Sequence, residues 1–441
     1  MLRPTFEALG SLTLRGRGLL GAGIAAIACG VLLGEDVLLR IGLLVAVLPL
    51  VAAVVVARTG YRLNSNRQLE AHRVSAGHAV SITLRLDNVS RLPTGLLLIE
   101  DAVPYQLGSA PRFVLDRVEP RGVREVRYTL RSDVRGRYQI GPLSVRLTDP
   151  FGLVELNRAF HRTDKLVVTP AVQPLPTVAL TGAWTGGGDS HARTVAAAGE
   201  DDVATREYRR GDDLRRVHWK TTAKRGELMV RREEQHWQSR CALFLDTRHR
   251  AYHGEGPGSA FEYAVSATAS IGINLVHGGF GLRMVTDAGL TLSGYGGLSG
   301  MSGGALEGML LEHLAMVRAS RRPGLAAGIA DLRASGSTEG LIVAVIGTLE
   351  DADADELARL RQGRSTGVAV LVDSASWSST RSRLRESERY EQVASQLRSA
   401  GWRVVPVGYG RSLAKAWPNA GRSRAAAPRP AAAASDRDAA S

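Results

Sequence analysis

LIVAVIGTLEDADADELARLRQGRSTGVAVLV, from Leu341 to Val372, places two apolar runs on either side of a charged segment. Leu341–Ile346 and Gly367–Val372 show no alternation of polar and apolar residues, which predicts strands buried on both faces. The segment between them, Ala352–Gln362, reads as a helix, so the stretch is a strand–helix–strand unit. The same alternation extends in both directions. Upstream lie a short strand Ala242–Leu245 ending at Asp246, a helix Ala260–His277, a strand Leu282–Val285 and a helix Ala305–Ser320. Downstream come a helix Glu386–Ala400 and a last strand Val404–Val407. Strands and helices in alternation predict a mostly parallel, doubly wound α/β sheet over residues 241–410.

Residues 66–170 carry a different period. Val80, Ile82, Leu84 and Leu86 alternate with Ser81, Thr83 and Arg85, and Val126, Tyr128 and Leu130 repeat the pattern. Turn signals at Pro93-Thr94-Gly95, Pro120-Arg121-Gly122, Arg135-Gly136 and Asp149-Pro150-Phe151-Gly152 separate these runs. Short strands at such spacing predict an antiparallel, sandwich-like β domain with one wet face. No metal or catalytic cluster is legible there, so the domain reads as a spacer or docking module.

The first 60 residues hold two apolar runs. Gly18–Gly34 is free of charge, and Val37–Ala57 carries Arg40 near its start, where a long side chain reaches the interface. Arg3, Arg15 and Arg17 precede the pair, Arg58, Arg62, Arg67 and Arg73 follow it, and Glu35 and Asp36 form the turn. The positive-inside rule therefore predicts a two-helix transmembrane hairpin, 18–34 and 37–57, with soluble domains in the cytoplasm. The net charge of +13 over 441 residues is spread along the chain. Spread in this way it fits an anionic membrane surface and not a nucleic-acid groove. Cys29 and Cys241 fall in a membrane run and an apolar strand and give no disulfide pair.

Between the two soluble domains, residues 171–198 read as a linker, with Pro174, Pro176 and Gly186-Gly187-Gly188. The glycine run lacks the Lys and Ser/Thr of a phosphate-binding loop. Residues 199–240 follow, with 11 Lys and Arg against 9 Asp and Glu between Glu200 and Arg240, set around Tyr208, Trp219, Leu228 and Val230. Mixed charges around aromatics need partners, within the chain or outside it. Three readings stay open. Arg206, Asp212, Asp213 and Arg215 pair among themselves with Trp219 as a buried peg; or the stretch is a docking surface; or its acids with His218 and Lys220 do acid–base or phosphoryl chemistry. On a strand His218 and Trp219 would face opposite ways. His191, His236, His249, His253 and His277 show no zinc spacing. From 411 to 441, Ala, Pro, Arg and Ser dominate and predict a disordered tail.

The charged stretch resembles the central pattern of the bacterial family DUF58. The matching residues are Arg206, Tyr208, Gly211, Asp212, Asp213, Arg215, Val217, Trp219, Ala223-Lys224 and Leu228 through Glu233, Arg231 included. Arg137-Tyr138, Gly141-Pro142 and Asp149-Pro150-Phe151-Gly152 match as well. Lys224, where the family pattern has Arg, keeps the charge and loses the fork geometry. The resemblance implies an N-terminal membrane hairpin, a β-rich segment and a von Willebrand factor A-like C-terminal domain. It also implies the company of a MoxR-type AAA+ ATPase and the remodelling or assembly of other complexes.

A-type domains often hold Mg²⁺ through an Asp-x-Ser-x-Ser strand end, which supplies the oxygens a hard cation requires. Here Asp246 is in place, but Arg248 and Arg250 stand at the two serine positions. Thr286, Asp287, Thr348 and Asp351 lie at later strand ends. Asp246 is thus the one metal candidate, at a degenerate site where arginine supplies the charge, and no cofactor is expected. The expected function is a membrane-anchored cytoplasmic scaffold or adaptor, and not an enzyme, binding the ATPase or its client. The rival is a membrane-tethered divalent-metal enzyme centred on Asp212, Asp213 and Asp246.

Overall fold

The computed structural model describes residues 11–60, 63–91, 93–149, 151–180, 205–207, 219–231, 240–293, 303–335, 340–360, 365–378 and 383–421. The chain divides into two compact units. One comprises 1–172, 255–269 and 308–318, the other 173–254, 270–307 and 319–441.

The first unit begins with helices α1 (Leu14–Leu33) and α2 (Asp36–Gly60). Thr13 caps α1, its hydroxyl accepting from the Gly16 amide, and Gly34 closes the helix in the left-handed conformation at φ 69°. Both helices are long and apolar enough to cross a membrane. They pack through glycine: a Cβ on Gly23 would lie 2.6 Å from the Ala46 amide nitrogen, and one on Gly42 would lie 2.7 Å from that of Ile27. Small residues of this kind let helix backbones approach closely in lipid.

Ten strands follow: β1 (Leu63–Leu69), β2 (Arg73–Ser75), β3 (Ala79–Asn88), β4 (Leu96–Asp101), β5 (Arg112–Leu115), β6 (Val123–Arg131), β7 (Gly136–Ile140), β8 (Leu143–Thr148), β9 (Glu155–Phe160) and β10 (Asp164–Thr169). They form three sheets, ordered β1-β3-β6, β2-β10-β7 and β5-β4-β8-β9. All ladders are antiparallel except β2 with β10, which corrects the wholly antiparallel expectation over Val167–Thr169. Alternation sets the packing. Leu84 and Leu86 of β3 share a core with Leu97 and Ile99 of β4, Val145 and Leu147 of β8, and Leu12 and Ala53 of the hairpin segment. Val80 and Ile82 meet Ile140, Leu166 and Val168 in a second core.

Among the described residues, buried charge here comes with partners. Arg67, with its side chain 4% exposed, donates from Nε and Nη2 to both oxygens of Asp101 and from Nη1 to Asp164. Tyr128 also donates to Asp101, at 2.5 Å, and burial pushes its phenol above the ordinary range. Arg135, in the Arg135-Gly136 turn, donates to both Glu262 oxygens and to the Leu314 and Val317 carbonyls.

The second unit is built on β13 (Arg240–Leu245), β14 (Gly281–Thr286), β15 (Gly289–Ser293), β16 (Leu341–Ile346), β17 (Thr366–Asp373) and β18 (Arg403–Gly408), after the short β11 (Thr205–Glu207) and β12 (Met229–Arg231). The sheet order is β15-β14-β13-β16-β17-β18, parallel throughout except for β15 at one edge. The helices in chain order are α3 (Trp219–Arg225), α4 (Ala260–His277), α5 (Gly303–Met316), α6 (Ala326–Ser335), α7 (Asp351–Arg359), α8 (Arg383–Ser399) and α9 (Leu413–Ala416).

On one face Phe244, Ile342, Ala344, Ala369 and Leu371 pack with Ile329 and Leu332 of α6, Leu357 of α7 and Leu397 of α8. The alternate residues Cys241, Leu243, Leu245, Val343 and Val370 are buried as well, as continuous apolar strands require. The strand β15 and the helix α6 were not expected from the sequence. The expected disordered tail is corrected over its first part, because α9 and the fully buried Trp417 extend the fold to residue 421. Residues 422–441 lie outside the described residues.

Candidate functional site at the strand-order reversal

The chain runs from β13 outward to β14 and β15, then crosses back to β16 on the other side. The carboxyl ends of β13 and β16 therefore flank the point where the strand order reverses, the place where open α/β sheets form their ligand crevice. Asp246 follows β13 directly, and its amide donates to the Val345 carbonyl at 3.0 Å. Gly347 follows β16; a Cβ there would lie 2.3 Å from the Ala251 carbonyl oxygen, so only glycine admits the turn after Arg248.

Arg248 fills the crevice. Its side chain is 1% exposed and that of Asp246 is 0% exposed. Nε donates to Asp246 Oδ1 at 2.9 Å and Nη2 to Oδ2 at 2.8 Å, a bidentate fork. Nη1 donates to Asp353 Oδ2 at 2.5 Å, and Nη2 also reaches the Thr348 carbonyl at 3.2 Å. Asp287 is held separately. It accepts from the Thr247 amide at 3.0 Å, from the Thr247 hydroxyl and from the Ser320 hydroxyl at 2.5 Å. The second oxygen of Asp353 accepts from the Leu325 amide at 3.1 Å. Every oxygen of these three carboxylates thus has a donor from the protein.

Burial pushes the Asp246 carboxyl up, and the bonds from Arg248 work against it. Burial works to lower the guanidinium of Arg248, but its bonds and attraction to Asp246 outweigh it and leave the pKa raised. A cation is present at the site, and it is covalently part of the chain. Among the described residues, no three His, Cys, Asp or Glu side chains are grouped to hold a metal ion. The neighbouring crevice, lined by Thr348, Asp373, Ser374, Glu386 and Tyr390, holds about 20 Å³, the room of a single water. A small-molecule site needs more than ten times that volume.

Of the other residues expected near Asp246, Arg250 turns to the surface and pairs with Glu350 at 3.0 Å. Asp351 is 91% exposed by side chain and pairs with Arg389. The Thr286 hydroxyl accepts from the Ala288 amide. Asp353 and Ser320 were missed. Asp353 sits inside the acidic run Asp351–Asp355, which reads as a solvated helix start, and only the fold carries it to Arg248.

In the charged stretch, Arg206 lies on β11 opposite Val230 and Arg231 on β12 opposite Thr205. Trp219 opens α3 and is 70% exposed, which overturns the buried-peg reading. The helix is anchored by the Thr222 hydroxyl, which accepts from the amide of the buried Met229 at 3.0 Å. Tyr208, Gly211, Asp212, Asp213, Arg215, His218 and Glu233 lie outside the described residues.

Comparison with known proteins places this site within a family segment. The uncharacterized protein YeaD of Bacillus subtilis (strain 168) is 26% identical over 234 residues, 50% of this chain and 55% of the relative. The chain thus spans about half the length of the curated relative it matches. The CARDB domain of the PF1109 protein from Pyrococcus furiosus is 14% identical over 24% of this chain and 86% of that domain, with a TM-score of 0.19. Spo0M, a sporulation control protein from Bacillus subtilis, is 13% identical over 24% of this chain and 49% of its own, with a TM-score of 0.16. Scores this low carry no argument about the fold. Residues 204–378, which include Trp219, Asp246, Arg248 and Asp353, match the family described as protein of unknown function DUF58.

Proposed function

We propose that this chain is a membrane-anchored scaffold or adaptor whose α/β unit is a von Willebrand factor A-like domain with Arg248 in the cation position. In this reading α1 and α2 span the bilayer, the β sheets form a sandwich-like spacer, and both soluble parts face the cytoplasm. The orientation follows from Arg15 and Arg17 before the hairpin, Arg58 and Arg62 after it, and Glu35 and Asp36 at its turn. The partner is a MoxR-type AAA+ ATPase or its client, as the family resemblance implies.

The exposure of Trp219 carries this reading. A tryptophan 70% open to solvent, in a stretch rich in arginine, has the composition of an interface hot spot. The metal-enzyme alternative, centred on Asp212, Asp213 and Asp246, lacks comparable support, since both oxygens of Asp246 are already bonded to Arg248 and Asp212 and Asp213 lie outside the described residues.

The test is an affinity pull-down from detergent-solubilised membranes, wild type beside Trp219→Ala and Arg215→Ala, read by mass spectrometry with folding checked by circular dichroism. Recovery of an AAA+ ATPase by wild type, and its loss in folded variants, supports docking. Equal recovery by the folded variants would sink the role given to this stretch.

A further inference from the structure

The hairpin leaves the β sheets at one end only, and the registers fix which loops share that end. Two residues separate the last residue of α2, Gly60, from the first of β1, Leu63, so their Cα atoms lie within about 11 Å. Leu63 pairs with Asn88 at the close of β3, and Asp87 pairs with Val123 at the opening of β6. Across the shared core, Leu96 opens β4 opposite Thr148, and Thr148 pairs with Glu155 at the start of β9. The turn between β8 and β9 holds α1 directly: the Thr13 amide donates to the Leu153 carbonyl at 2.9 Å and its hydroxyl to the Gly152 carbonyl at 2.7 Å. The described loop residues 89–91, 93–95, 116–122, 149 and 151–154 therefore surround the root of the hairpin.

Apolar side chains project from that end. Leu14 is 88% exposed, Phe151 67%, Val89 56%, Leu96 44% and Val123 42%. Phe151 is held outward by a built turn, since Asp149 accepts from the amides of Phe151, Leu153 and Val154 at 3.1, 2.6 and 2.7 Å. Exposed arginines accompany them: Arg15 and Arg17 on α1, and Arg91, Arg121 and Arg124 at the loops. Of the acids nearby, Asp87, Glu119 and Glu155 are paired with Arg85, Arg117 and Arg146 and Asp149 is bonded to backbone amides, which leaves Asp116, Glu125 and the Asp149 charge against those five arginines.

We infer that this end of the β unit is a lipid-seating surface. Phe151, Val89 and Leu96 enter the headgroup region, and the arginines bind anionic lipid phosphates. The inference rests on the hairpin spanning a bilayer, because whatever surrounds α1 and α2 then also faces the loops at their root. Apolar tips among basic residues are the chemistry of interfacial binding. A soluble partner would have to share this ground with the membrane itself.

Spin labelling of the full chain in nanodiscs tests it. Labels go at Phe151→Cys, Val89→Cys, Val47→Cys in α2, and Tyr105→Cys beyond the far end of β4, each with Cys29→Ser; Cys241 is buried and does not label. In discs containing phosphatidylglycerol, positions 151 and 89 should lose access to an aqueous nickel chelate while position 105 keeps it. Discs of phosphatidylcholine alone should show a smaller loss. Should 151 and 89 stay as open as 105 while 47 reports the bilayer interior, the inference fails and the anchor stands. An aqueous signal at 47 would overturn the anchor and the inference with it. Equal loss in both lipids would overturn the arginine–phosphate part.

Discussion

Removing the guanidinium of Arg248 should unfold the α/β unit more readily than any surface change. Arg248→Met keeps the apolar stem and deletes the fork that holds both oxygens of Asp246, one oxygen of Asp353 and the Thr348 carbonyl. Asp246 is 0% exposed and would be left buried without its counter-charge. Breaking a buried ion pair on one side costs about 3–5 kcal/mol. For a unit of this size each kcal/mol lowers Tm by roughly 2–4 °C, so the drop is about 6–20 °C. The assay is thermal unfolding of the full chain in detergent, wild type beside Arg248→Met, Asp246→Leu and the double variant. The double variant should recover part of the loss, with a coupling of about 0.5–3 kcal/mol. Added Mg²⁺ should leave the wild-type Tm unchanged, since a ligand stabilises only where it binds. A loss under about 1 kcal/mol for Arg248→Met, or a wild-type Tm that rises with Mg²⁺, would refute the reasoning.

Gly23→Leu should separate the hairpin, because even a Cβ there meets the Ala46 backbone at 2.6 Å, whereas Gly21→Leu has open space and should be tolerated. Overpacking of this kind costs about 1–3 kcal/mol, readable as the thermostability of the detergent-solubilised chain by size exclusion. His313 has its Nε2 buried without a partner among the described residues, and burial lowers its pKa from 6.5. The folded state therefore binds fewer protons than the unfolded one below 6.5, so its stability contribution is full above 6.5 and lost as pH falls toward the lowered value. Tm measured between about pH 5 and 7.5 should decline on the acid side, and His313→Leu should flatten that decline. Trp417→Ala should cost about 3–5 kcal/mol and Trp219→Ala less than about 0.5 kcal/mol, since the first is fully buried and the second 70% exposed.

The parts of the fold legible in the sequence are those written in local pattern. Leu341–Ile346 is apolar at every position, and the strand occupies those residues. The helix at Ala260–His277 likewise falls where its pattern predicts. Elements whose burial is slight were not legible. β15 is five residues at a sheet edge, and α6 carries Gly328 and buries mainly Ile329 and Leu332. Trp417 was hidden in a segment whose composition reads as a tail, because one large side chain outweighs the alanines and arginines around it. The site was half legible. Asp246 with Arg248 two residues on announces its own neutralisation. Asp353, 105 residues beyond Arg248, becomes a partner only through the crossover to β16 and the turn into α7.

On the proposed A-type reading a guanidinium stands where a metal would, and that changes what the strand-order reversal is able to do. A bound cation keeps open positions where an incoming carboxylate can complete its shell, as hard cations with water ligands do. Arg248 has five N–H donors and spends four hydrogen bonds from three nitrogens on Asp246, Asp353 and Thr348 at 1% exposure. Nothing exchangeable is left there for a partner to complete, so the proposed docking would use exposed side chains elsewhere, and among the described residues of this segment Trp219 is the most exposed large apolar side chain. The two positions should therefore separate by experiment. Arg248→Lys, which keeps charge but loses the fork, should lower stability while a folded fraction still captures the partner. Trp219→Ala should do the reverse, keeping Tm and losing capture. Loss of capture by a folded Arg248→Lys protein, with Trp219→Ala still binding, would place recognition back at the strand ends.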